Sequence, residues 1–123
     1  MIFGIGCDLC EIARIEKTDL KFLEKCFTQK EQEYFSRKHN KYESIAAAFA
    51  AKEAFSKAIG TGIRGFSFAD IEVLHDELGK PYINVTGSAK AKCEEEKVSD
   101  IHLSLSHTEA LAMACVVLER KSL

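Results

Sequence analysis

The spacing of apolar side chains changes twice along this chain. Residues 2–7, Ile-Phe-Gly-Ile-Gly-Cys, form a short apolar run and read as a strand that delivers an acid, Asp8, at its end. From Glu11 to about Cys26, Ile12, Ile15, Leu20, Leu23 and Phe27 form an apolar set with helical texture, and Thr18-Asp19 can divide it in two. Thr28-x-x-Glu31 is a capping box, so a further helix starts there and runs to about His39. A long helix follows from about Tyr42 to Ile59. Ile45, Phe49 and several alanines give its buried side, and Gly60 suits its left-handed end.

After Gly65 the period shortens. Asp70 to His75 and Pro81 to Thr86 read as two strands of a hairpin turned by Asp76-Glu-Leu-Gly-Lys80. Ser88 to Lys97 is a charged amphipathic helix. Ile101 to Ser106 alternates strictly, with Ile101, Leu103 and Leu105 on one face and His102, Ser104 and Ser106 on the other. Leu111 to Leu118 is nearly all apolar, the pattern of a strand buried on both faces. The expected fold is α+β: an antiparallel sheet packed with a long central helix and shorter helices, in one domain over residues 1–123.

Composition narrows the function classes. No apolar stretch is long enough to span a bilayer, and the first residues lack the basic start of a signal peptide. Five scattered cysteines favour reduced thiols in a cytoplasm. Cys7-x-x-Cys10 lacks the second pair of a zinc site, and burial at a strand end is its simplest role. The net charge of −2 argues against nonspecific nucleic-acid binding. Residues 12–41 nevertheless carry eight Lys/Arg against five Asp/Glu, a local excess suited to an acidic protein partner.

The candidate chemistry lies in two acids and a lysine. Glu53 and Lys57 are four residues apart on one face of the long helix. An exposed helical ion pair would look the same, but the flanking alanines mark a helix buried over much of its girth. Asp8 is equally readable as a helix N-cap. Together Asp8 and Glu53 would offer two oxygen ligands to a hard cation, with Lys57 placed to hold a phosphate. Gly60-Thr61-Gly62 follows a helix and lacks GK[ST], so it is no Walker loop. Ser104, Ser106, His107 and Thr108 crowd one strand end without a nucleophile elbow, which suits phosphate-binding hydroxyls better than a hydrolase. Arg14, Lys17, Lys21 and Lys25 make one basic stripe if residues 11–26 are helical.

These blocks occur in a recognisable order: Gly4-Ile-Gly-Cys-Asp8, then Arg14-Ile15, Ala50-Ala-Lys-Glu-Ala-Phe-Ser-Lys-Ala-Ile-Gly-Thr-Gly62, Gly79-Lys-Pro81 and Leu103-Ser-Leu-Ser-His-Thr108. The order resembles the holo-[acyl-carrier-protein] synthase family, the small single-repeat 4′-phosphopantetheinyl transferases, over almost the whole chain. The resemblance implies that coenzyme A donates 4′-phosphopantetheine to a serine of apo acyl carrier protein, leaving adenosine 3′,5′-bisphosphate, in the service of fatty acid biosynthesis. It implies Mg²⁺, or Mn²⁺ in its place, on Asp8 and Glu53, with Lys57 on the phosphates and Glu53 as the first choice of base. Gly60, Thr61, Pro81, Ser104, His107 and Thr108 would contact coenzyme A, while Arg14, Lys17, Lys21 and Lys25 would meet the carrier protein. It also implies a homotrimer with active sites between protomers.

One feature departs from the family: lysines stand at 17, 21 and 25 where members often carry arginines, and lysine lacks the bidentate fork. Three rival readings remain at this point. They are a metal-dependent phosphohydrolase of coenzyme A or a nucleotide, a non-enzymatic carrier-protein-binding module, and a redox role for Cys7 and Cys10.

Overall fold

The structure, a computed structural model, describes residues 1–60 and 66–121. The first strand, β1 (Ile2–Glu11), leads directly into a short helix α1 (Ile12–Glu16). Two more short helices, α2 (Leu20–Cys26) and α3 (Gln29–Ser36), precede the long α4 (Lys41–Ile59). A turn of 3-10 helix at Phe68–Asp70 then opens the hairpin of β2 (Ile71–His75) and β3 (Pro81–Val85). The chain closes with α5 (Gly87–Glu95), β4 (Val98–His107) and β5 (Leu111–Arg120).

The main sheet has the order β1-β5-β4, antiparallel throughout. β1 is longer than its apolar run suggests, because Asp8 to Glu11 continue the ladder opposite Ala114 to Leu111. Asp8 therefore stands within a strand, neither at its end nor at a helix cap. The cap position of α1 is Glu11, whose side chain makes no capping bond. The expected break at Thr18-Asp19 is present, with Asp19 capping α2 through the Phe22 N–H. Leu20, expected in the apolar set, is 64% exposed. The Thr28–Glu31 capping box forms in full.

α4 packs across β1 and β5. The approach is very close, because a Cβ on Gly6 would fall 2.0 Å from the Ala54 carbonyl oxygen and one on Gly4 would fall 1.9 Å from that of Ala58. Only glycine on the strand facing alanine on the helix permits this spacing. On β5, Ala112, Ala114, Val116 and Leu118 are buried beneath α4, while Leu111, Met113, Cys115 and Val117 face outwards and keep some exposure. The strand expected to be buried on both faces is thus fully covered on one. Its other face joins Ile5 and Leu9 of β1, 58% and 61% exposed, in an open apolar surface. Among the described residues, no helix is long and apolar enough to cross a membrane.

One buried ion pair ties α4 to the rest. Lys52 and Glu31 are both fully buried, with Nζ 2.9 Å from Oε1. Burial pushes the Glu31 carboxyl up and the Lys52 ammonium down. The partners nevertheless favour the ionised forms. Lys52 donates three bonds to three acceptors, Glu31 and the carbonyls of Phe68 and Ile71. Glu31 receives only donors, the N–H groups of Thr28 and Val73 besides Lys52. This pair links α3, α4 and β2, so Glu31 has a role beyond the capping box expected of it. Replacing Lys52 by Met strands a buried carboxylate and two carbonyls, so a loss of about 3–5 kcal/mol in urea unfolding is expected.

Candidate active site

Asp8 extends from β1 towards the flank of α4, where Lys57 Nζ lies 2.8 Å from its Oδ1. The same ammonium donates to the Cys7 carbonyl at 3.1 Å. Glu53 stands one helical turn before Lys57 on that flank, half-buried. Its carboxyl is pushed up, first by burial and then by the negative charge of Asp8, with Lys57 and Arg14 opposing. The Asp8 bond holds the Lys57 ammonium well into its charged form. The three residues singled out in the sequence are therefore neighbours, brought together by the close packing of α4 on β1.

This cluster offers two carboxylates that repel each other and one ammonium that partly compensates them. Among the described residues, no group of three or more His, Cys, Asp and Glu side chains is gathered as a metal site. Two oxygen ligands fit a hard cation such as Mg²⁺, which commonly takes one or two carboxylates and completes its shell with substrate phosphate and water. They do not fit a zinc site with its nitrogen and sulfur ligands.

The residues expected around the nucleotide lie elsewhere. Ser44 lines a cleft of about 530 Å³ together with Ala48, Pro81, Leu105, Ser106 and His107. Ser44 and Glu53 are nine residues apart, about two and a half turns at 3.6 residues per turn, and so face opposite flanks of α4. Pro81, Ser104 and His107 thus share a cleft that Asp8, Glu53 and Lys57 of the same chain do not line. Alternation along β4 also divides the polar cluster read from the sequence. His107 turns towards α4 and meets Glu43 at 3.2 Å, while Ser104 and Ser106 stand on the other face. The Thr108 hydroxyl oxygen accepts from the N–H groups of Ala110 and Leu111, closing the β4–β5 turn. Gly60 ends α4 with φ of 90°, as expected of a left-handed cap. Thr61 and Gly62 lie outside the described residues.

The basic residues are all exposed, but they do not share one helix. Arg14 belongs to α1, Lys17 ends it, and Lys21 and Lys25 lie one turn apart on α2. Beside Lys25 is an apolar hollow of about 420 Å³ walled by Phe22, Cys26, Phe49, Phe66 and Phe68. Its phenylalanines come from separate elements, so no local spacing announced it. Glu43, Tyr34 and His75 were missed for the same reason. Tyr34 and His75 stack at 4.0 Å and 5° between planes at one end of the larger cleft.

A family model described as the 4′-phosphopantetheinyl transferase superfamily matches residues 4–116. The chain belongs to this family. It is an enzyme of the holo-[acyl-carrier-protein] synthase kind. Over 116 residues it is 47% identical to a holo-[acyl-carrier-protein] synthase of Thermoanaerobacter sp. (strain X514), spanning 92% of this chain and 84% of that relative. The crystal structure of the synthase from Neisseria meningitidis matches with a TM-score of 0.90 and 39% identity, covering 98% of this chain and 100% of that one. The Bacillus anthracis synthase, solved in complex with CoA (3′,5′-ADP), matches with a TM-score of 0.82 and 42% identity over 98% of this chain and 99% of that one. The α+β fold expected from the sequence is the fold of these enzymes.

The cleft also contains a titrating group. Burial holds His75 below its ordinary value of 6.5, the Lys38 charge adds to this, and Asp76 opposes it. Its Nδ1 is buried without a hydrogen-bond partner among the described residues. A histidine with a lowered pKa refuses a proton that the unfolded chain accepts. Stability is therefore lost as pH falls below 6.5 towards the lower folded value. His75→Phe keeps a ring against Tyr34 and removes the titration. Its melting temperature, relative to the unaltered chain, should be higher at about pH 5.5 than at about pH 8.

Proposed function

We propose that this chain transfers 4′-phosphopantetheine from coenzyme A to a serine of apo acyl carrier protein, with Mg²⁺, and so serves fatty acid biosynthesis as a cytoplasmic enzyme. The observation that carries the reading is the meeting of Asp8, Glu53 and Lys57 across the α4–β1 contact. The carrier protein and coenzyme A named by the related synthases supply the substrates.

Asp8 and Glu53 would hold the cation, which when bound supplies Lewis acidity to the pyrophosphate; Mn²⁺ satisfies the same oxygen ligands. Lys57, already an ammonium at the site, moves from Asp8 to the phosphates and stabilises the charge that builds on the leaving adenosine 3′,5′-bisphosphate. Glu53 is the group that takes the serine proton. Pro81 and His107 hold the nucleotide in the cleft, with Glu43 fixing the His107 ring, and Ser104 and Ser106 border that cleft along β4. Gly60, Thr61 and Thr108 are assigned to coenzyme A by family likeness. Arg14, Lys17, Lys21 and Lys25 face the acidic carrier protein, and the phenylalanine hollow beside Lys25 takes an apolar side chain from it.

The position of the two half-sites on opposite flanks of α4 supports a shared site. The cleft of one copy would complete the acidic cluster of the next, in a homotrimer that covers Ile5, Leu9 and Met113.

The direct test combines the protein with coenzyme A, Mg²⁺ and apo acyl carrier protein, followed by the carrier's intact mass. A gain of one phosphopantetheine that EDTA abolishes is expected. Coenzyme A consumed without carrier modification would indicate a hydrolase instead. Glu53→Gln should lower the transfer rate by about a hundredfold or more while sparing carrier binding, since it removes both a ligand and the base. Co-expression of Glu53→Gln with His107→Ala chains, each defective alone, should restore activity by pairing intact half-sites. Activity no higher than that of the separate variants would mean that each chain builds its own site.

A further inference from the structure

Glu43 and His107 meet at the wall of the larger cleft from two elements that no local spacing connects. Glu43 belongs to the first turn of α4, where the helix dipole favours a carboxylate. His107 ends β4 and turns its ring towards that helix. Its Nδ1 lies 3.2 Å from Oε2 of Glu43, and both residues line the cleft. An ionised carboxylate only accepts hydrogen bonds, so Nδ1 must carry a hydrogen. The two ring nitrogens point in diverging directions, which leaves Nε2 for a ligand.

The charges around the ring favour an anion there. Besides Glu43 and His107, the titratable groups lining the cleft are Tyr34 on α3, Lys38 just beyond it, His75 ending β2 and Lys80 just before β3. Among the described residues, Glu43 is the sole carboxylate of this lining, against two lysines. The other acids near Glu43 lie in an adjoining groove, where Glu16 of α1 and Glu109 of the β4–β5 turn stand with His39 and Lys41. An ionised phosphate, like a carboxylate, only accepts hydrogen bonds. When a nucleotide phosphate meets Nε2, the ring has an acceptor on each nitrogen. Both nitrogens must then carry hydrogens, and the ring is an imidazolium.

We propose that Glu43 makes nucleotide binding in this cleft proton-linked: coenzyme A binds together with a proton taken from solvent onto His107. This linkage rests on the placement of the nucleotide beside His107 proposed above. Glu43 is a positioning residue in it. By claiming the hydrogen on Nδ1, the carboxylate leaves a neutral His107 with only a lone pair at Nε2, which an anion rejects. Without that carboxylate, a neutral ring can carry its one hydrogen on Nε2 and donate it to phosphate, with no proton taken up. Release of the nucleotide product returns the proton to solvent.

The test titrates coenzyme A into the protein by calorimetry, without carrier protein, in buffers of different ionisation heat. At pH about 7.5 an imidazole in water is mostly neutral, and phosphate monoesters, with a second pKa of about 6, are mostly ionised. Uptake of about half to one proton per site is expected, with affinity falling up to about tenfold per pH unit as pH rises. Nitrogen NMR of the complex should show both His107 ring nitrogens carrying hydrogen. Glu43→Gln, whose amide can donate to Nδ1, should bind coenzyme A with little or no uptake. His75→Phe should keep the uptake, which separates His107 from the other histidine of the cleft. Uptake that survives in Glu43→Gln, uptake that vanishes in His75→Phe, or a neutral His107 in the complex would each overturn the proposal. Binding without uptake in the unaltered protein overturns this linkage alone. No binding of coenzyme A at all overturns the placement of the nucleotide, and the linkage with it.

Discussion

The distance between α4 and β1 governs the rest of this structure. Gly4 and Gly6 allow the helix to lie against the strand backbone, with the Ala54 and Ala58 carbonyls occupying the space a side chain would need. At that distance a lysine on the helix reaches both an aspartate side chain and a backbone carbonyl on the strand. A larger residue at either glycine would lift the helix and separate Asp8 from Lys57 before it disturbed much else. The Gly-x-Gly pattern at the start of the chain is thus a packing device that happens to precede an acid. It does not cradle phosphate.

α4 carries adjacent charges for opposite purposes. Lys52 is sealed among three acceptors and fixes the helix to α3 and β2. Glu53, the next residue, turns towards Asp8 and pays for its half-burial with a raised pKa. A helix held on one flank by a buried ion pair can present a half-buried carboxylate beside a second one without rotating away from it. The buried pair and the Glu53 carboxylate are about a hundred degrees of helical twist apart on the same helix.

Much of this was legible in the chain. The capping box at Thr28, the left-handed Gly60, the division near Thr18-Asp19 and the alternation of β4 are local signals, and each formed. Asp8, Glu53 and Lys57 stood out because charges among small apolar residues need a reason. What escaped depended on distant partners. Glu31 has an evident local role as a capping residue, and nothing near it announces Lys52. The phenylalanine hollow draws on Phe22, Phe49, Phe66 and Phe68, whose separation hides their meeting. Leu20 matched an apolar pattern yet remained exposed, because a five-residue helix followed by a break cannot keep the register of a longer one. The apolar run of β5 promised two covered faces, but within one chain only α4 is present to cover it.

The order of the main sheet has a consequence for synthesis. β5, the central strand, is made last of the three, and β1, made first, pairs only with it. As the chain leaves the ribosome, β1 has no strand to join until nearly all the described sequence has emerged. α4 can form early from local contacts, but the surface it is to cover does not yet exist. Ile2, Ile5 and Leu9 wait meanwhile as an unpaired apolar strand, the kind of segment that attracts chaperones or other nascent chains. The final ladder is then closed at its end by Met1 and Arg120, each bonding the other's carbonyl. Closure of this sheet therefore waits for the last of its three strands.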